Sequence, residues 1–96
     1  MPVLSEVHRA LVSRILRETL PDPEVYVFGS RSTGRARPFS DLDLLVLRPP
    51  RLTLTQRVEL RDRFEASVLP FRVDLVEAAG LPAGMAARVL RECRAL

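Results

Sequence analysis

The segment Leu42-Asp43-Leu44-Leu45-Val46-Leu47 constrains this chain more than any other. A half-buried strand alternates apolar and polar residues; this run is apolar at nearly every position and is stopped by Pro49-Pro50. Such a pattern needs cover on both faces, which is the situation of a central strand. The fold must therefore place strands beside it and helices over it. A chain of 96 residues supplies one core of that kind and no second, so residues 1–96 read as a single domain. The one polar interruption, Asp43, comes two residues after Asp41, so both carboxylates project from the same side where the strand begins.

The other elements arrange themselves around that strand. Ser5 can cap a helix whose apolar positions Val7, Ala10, Leu11, Ile15 and Leu16 recur at helical spacing to Leu20, before Pro21 and Pro23. Glu24–Phe28 is β-branched and aromatic and reads as a strand ending at Gly29. Residues 30–40 form a polar, Arg-rich connection broken by Gly34 and Pro38, with room for one helical turn. A helix is expected from Thr53 or Thr55 to Leu69, with Leu54, Val58, Phe64 and Val68 among its apolar positions. Phe71–Val76 follows as a strand with Phe71, Val73 and Leu75 on one face and Arg72, Asp74 and Val76 on the other. Leu81-Pro82 opens a last helix lined by Met85, Val89, Leu90, Cys93 and Leu96. The order α-β-(turn)-β-α-β-α implies an α+β, or α/β sandwich, fold: a small mixed sheet of at least three strands flanked by helices.

Composition removes several alternatives. Cys93 is the only cysteine, so no internal disulfide forms, and there is no Cys/His cluster for zinc. A small buried thiol is the ordinary reading of Cys93, and a surface or boundary position that of His8. No apolar run approaches the length of a membrane span, and the N-terminus has no basic-then-apolar leader, which makes a soluble cytoplasmic protein the expectation. All fifteen basic residues are Arg, giving a net charge of +3. That balance suggests an anionic partner, but GC-rich coding is the better explanation of an Arg-only set. Five scattered aromatics make no base-stacking platform, so direct nucleic-acid binding is not expected.

Chemistry concentrates in Asp41, Asp43 and Asp74. Two like charges at the head of an apolar strand repel unless a cation lies between them, and hard divalent cations prefer carboxylate oxygens. Asp74 lies 31 residues beyond Asp43, enough chain for one helix and a neighbouring strand. Three acids so placed can serve metal-assisted phosphoryl chemistry. Structural roles are also available: Asp41 as a strand-start turn residue and Asp74 as a partner of Arg72 or of another Arg at a strand end. Upstream, Gly29-Ser30 ends a strand where backbone N–H groups and a hydroxyl can meet phosphate oxygens. Gly29 and Gly34 have P-loop spacing, but Arg35-Ala36 replaces the required Lys-Ser/Thr, which excludes a P-loop.

Gly29-Ser30, ten intervening residues, Asp41-Leu42-Asp43 and a third acid in Phe71-Arg72-Val73-Asp74 resemble the polymerase-β-type nucleotidyltransferase superfamily. Gly-Ser-Arg-x-x-Gly-x-Ala-Arg-x-x-Ser-Asp-x-Asp-Leu is similar, within it, to the minimal nucleotidyltransferase (MNT) domains, the antitoxin halves of HEPN/MNT toxin–antitoxin pairs. The resemblance spans about residues 25–76, with Phe39 where many relatives carry a polar residue. It implies a nucleotidyltransferase fold, Mg²⁺ (or Mn²⁺ in its place) held by Asp41, Asp43 and Asp74, and ATP bound by Gly29, Ser30, Arg31 and Ser40. It also implies transfer of AMP to a tyrosine hydroxyl of a cognate HEPN ribonuclease toxin. Alternatives are a binding antitoxin that masks its partner without catalysis, and a nucleic-acid-modifying transferase. Arg31, Arg35, Arg37, Arg48 and Arg51 flank Asp41 and Asp43 in sequence, which favours a nucleotide as the anion.

Overall fold

The computed structural model describes residues 4–29 and 40–96. Helix α1 (Glu6–Thr19) begins where Ser5 accepts the His8 N–H. Helix α2 (Leu54–Glu65) begins in a capping box in which Thr53 and Gln56 exchange side-chain-to-backbone hydrogen bonds of 2.9 and 3.0 Å. Strands β1 (Glu24–Phe28), β2 (Leu42–Arg48) and β3 (Val73–Glu77) are followed by a 3-10 turn at Ala78–Gly80. Helix α3 (Ala83–Glu92) and a two-residue strand β4 (Arg94–Ala95) complete the chain. The four strands lie in the order β3-β2-β1-β4. β1 runs antiparallel to β2 and β4; β2 and β3 are parallel, joined by the α2 crossover that parallel neighbours require. No helix among the described residues is long and apolar enough to cross a membrane.

The central strand is β2, as its composition demands. Leu42, Leu44 and Val46 are fully buried in a cluster with Val27 and with Val12, Ile15 and Leu16 of α1 and Leu60 and Phe64 of α2. Leu45, on the opposite face, is also fully buried. Arg63 ties the helices together by bonding Thr19 and Glu18 of α1.

Several expectations change. The inward row of α1 passes through His8, whose ring packs edge-on against Phe71 at 5.4 Å, so Val7 faces solvent. Helix α2 stops at Glu65 because Ser67 turns its hydroxyl back to the Phe64 carbonyl (2.6 Å), a local bond that competes with continuing the helix. Leu54, Val58 and Val68 are exposed rather than core. Helix α3 ends at Glu92; Cys93 is its cap and only partly buried, and Leu90 and Met85 are exposed. Beyond Cys93 the chain returns as β4 against β1, an element too short to show periodicity. The helical turn expected within residues 30–40 falls almost wholly outside the described residues.

Candidate active site

Strand register assembles the site. In the parallel pair, Asp43 stands directly across from Asp74, so their side chains share one face of the sheet. In the antiparallel pair, Phe28 stands across from Asp43, which brings the following Gly29 to the same corner. Asp41 immediately precedes β2 and lies on the side of Asp43. The Leu42 N–H donates to the Arg72 carbonyl at 2.8 Å, extending the β2–β3 ladder to the site end.

Gly29 is required twice over. Its φ of +75° lies in the left-handed region, and a Cβ there would overlap Oδ2 of Asp43 and come within 3.3 Å of its Cγ. The glycine thus lets the strand end lie flat against the Asp43 carboxylate.

Among the described residues, the corner is short of positive charge. The Asp43 carboxyl titrates above the usual carboxylate range, first because burial disfavours its charge, then because Asp74 and Asp41 are anionic neighbours; Arg72 opposes the shift. One nitrogen, Nη2 of Arg72, lies 3.2 Å from Oδ2 of Asp41 and 3.3 Å from Oδ2 of Asp74. The pairing of Asp74 with Arg72 that the sequence allowed is therefore real, and Asp41 shares it. The same two carboxylates raise the proton affinity of the guanidinium.

Among the described residues no three His, Cys, Asp or Glu side chains converge as a ready metal cage. Asp41 and Asp74 meet on Arg72 instead. The donor chemistry nonetheless fits a hard divalent cation: three carboxylates, one half-buried and held against its charge, at one sheet corner.

Ser40 is half-buried immediately before Asp41, whereas Ser30 and Arg31 lie outside the described residues, as do Arg35 and Arg37. The expectation that Arg48 and Arg51 flank the site does not hold. Arg48 closes the far end of β2, five residues and about 16 Å from Asp43, where it pairs with Glu24 at 3.5 Å. Arg51 lies by Glu77 at that same far end, lining a cavity with Leu52 and Arg57. Sequence proximity misled because an extended strand carries its ends apart. What sequence reasoning missed was the contact between Gly29 and Asp43, since a two-strand register is not visible in a linear motif.

The nucleotidyltransferase domain family model matches residues 10–96. The chain is 43% identical over 70 residues to a Haemophilus influenzae protein named as a probable protein adenylyltransferase MntA, a match covering 73% of this chain and 61% of that one. It is 39% identical over 94 residues to the protein adenylyltransferase MntA of Thermococcus cleftensis, covering 96% and 94% of the two chains. Among solved structures, a toxin–antitoxin with AMP-PNP superposes with a TM-score of 0.72 at 30% identity, over 90% of this chain and 69% of that one. A Shewanella oneidensis MNT antitoxin in complex with its tri-AMPylated HEPN toxin gives 0.70 at 26%, over 96% and 71%. The fold and the extent of the match agree: this chain belongs to the nucleotidyltransferase domain family, among its minimal, MNT-type members.

Proposed function

We propose that this protein transfers AMP from ATP to a hydroxyl, that of a tyrosine, on a cognate HEPN ribonuclease toxin in the cytoplasm, and so acts as its antitoxin. The observation that carries this reading is the Asp43–Asp74 register with Asp41 beside it, closed by Gly29. Relatives named as protein adenylyltransferases, and a solved antitoxin in complex with an AMPylated toxin, support it.

In this reading Asp41, Asp43 and Asp74 hold Mg²⁺, which when bound neutralises phosphate charge and polarises the reacting oxygens. Gly29, Ser30, Arg31 and Ser40 bind the triphosphate. The acceptor oxygen forms a bond to the α-phosphorus as the bond to the β-phosphate bridge breaks, and pyrophosphate leaves. The hydroxyl proton departs toward a carboxylate, with Asp74, on the outer strand of the corner, as its acceptor. In the protein alone Arg72 bridges Asp41 and Asp74, whose oxygens it would yield to the cation. Such chemistry needs alignment and charge neutralisation more than covalent participation by the protein.

The test is incubation of the HEPN partner with α-labelled ATP and Mg²⁺. Label on a tyrosine of that partner, lost in the Asp41→Asn/Asp43→Asn variant, is the expected result. Full protection from the toxin by that variant would instead favour masking.

A further inference from the structure

On the α2 face of the sheet, behind the acid corner, runs a groove that shares only Asp74 with the transfer chemistry. It has a volume of about 300 Å³ and lies between Leu54, Arg57, Val58 and Arg61 of α2 and Val73 and Asp74 of β3. Its α2 wall is apolar but open to solvent: Leu54 is 73% exposed and Val58 38%. One capped helix thus spends two apolar positions on solvent, both on the wall facing β3.

The β3 wall is a sheet edge. β3 is the outermost strand and, among the described residues, pairs only with β2. The bond from Leu42 N–H to the Arg72 carbonyl fixes the phase of the ladder, so Arg72, Asp74 and Val76 turn their backbone groups toward β2. Val73, Leu75 and Glu77 turn theirs outward. An exposed edge of this kind is a template for an added strand.

Charge and direction narrow the occupant. Arg57 is held by Glu77 at 2.9 Å, which places the start of α2 beside the end of β3. α2 then runs back toward the acid corner, so Arg61 comes nearest the Asp74 end. Arg61 is two-thirds exposed, and its 3.9 Å contact with adjacent Asp62 leaves it available to another anion.

We propose that the groove receives an extended, acidic segment of the acceptor protein, added along the outer edge of β3, with the hydroxyl delivered at its Asp74 end. The proposal rests on the transferase reading above and assigns the surface that selects its protein substrate. Backbone bonds to Val73 and Leu75 supply the register, Leu54 and Val58 cover the apolar side chains, and Arg61 favours an acidic one.

The experiment uses the full chain, α-labelled ATP, Mg²⁺ and the HEPN partner as acceptor. Leu54→Asp with Val58→Asp should raise the KM for the acceptor at least tenfold while leaving the KM for ATP unchanged. Arg61→Glu should raise it severalfold and flatten its dependence on salt. Val7→Asp, an equally exposed change on α1, should match the wild type. In hydrogen exchange, adding the acceptor should slow the Val73 and Leu75 amides. Wild-type acceptor KM in the Leu54/Val58 variant, or unchanged exchange at both amides, overturns the groove and leaves the transferase reading standing. No labelling by the wild-type protein overturns both.

Discussion

Asp43 and Asp74 occupy paired positions in the parallel β2–β3 ladder, so two carboxylates are fixed on one face by backbone register and need no side-chain scaffold. The arrangement is costly for the isolated fold, because burial and the two neighbouring acids disfavour the ionised form of Asp43. A carboxyl whose folded pKa is raised contributes most to stability below its unfolded pKa and loses that contribution as pH rises through the folded value.

Asp43→Asn should therefore stabilise the free protein at neutral pH while abolishing transfer. Asp43 remains partly solvated, and screening trims the effect. The expected gain is about 1 kcal/mol, or ~4–8 °C in melting temperature for a domain of this size. Thermal melts at pH 7 and pH 4 check it: the variant's advantage should shrink at the lower pH. An advantage that stays constant with pH would contradict the electrostatic origin.

Gly29→Ala places a methyl group on a left-handed residue and against the Asp43 carboxylate. Strain of about 1–2 kcal/mol is expected from the backbone alone. The carboxylate must also move, so nucleotide transfer should fall much further than stability does. Denaturant melts and labelling rates on the same preparation separate the two effects.

Arg72 holds Asp41 and Asp74 together through one nitrogen, and a divalent cation needs those same oxygens. Arg72→Gln should tighten binding of Mn²⁺ in the absence of nucleotide, by about 3–10-fold, since exposed ion pairs are individually weak. Paramagnetic resonance of free Mn²⁺ during titration measures this directly. Weaker binding in the variant would show that Arg72 organises the acids rather than competing for them.

Away from the corner, Glu77 accepts the Leu52 N–H and pairs with Arg57, and those partners, the backbone bond first, hold its carboxyl below the usual glutamate range. A lowered acid contributes stability above its unfolded pKa and loses it as pH falls through the folded value. Melting temperature should drop between about pH 5 and pH 3, and Glu77→Gln should remove that part of the drop while lowering stability at pH 7.

The central strand, the shared side of Asp41 and Asp43 and the glycine that ends β1 were legible because each depends on local pattern. An apolar run at Leu42–Leu47 needs two covered faces, and two acids two residues apart share a side of any strand. Exposure along α2 was not legible: Leu54 and Val58 keep helical spacing, yet the helix turns them to an open sheet edge. β4 escaped notice because two residues carry no period, and the chain's last apolar residue, Leu96, read as helix when it packs beside β1. Arg48 at the end of β2 and Arg51 beyond it looked close to the acids until the extended strand carried them to the opposite end.

The most direct measurement is label transfer from α-labelled ATP to the HEPN partner, compared between wild type and single Asp41→Asn, Asp43→Asn and Asp74→Asn proteins under Mg²⁺. Transfer to a tyrosine by the wild type, with each substitution lowering the rate at least a hundredfold while docking to the partner persists, is the predicted result, in line with the loss of a principal electrostatic contact in a transition state. Undiminished labelling in any of the three, or protection of cells by wild type with no label on the partner, would contradict it.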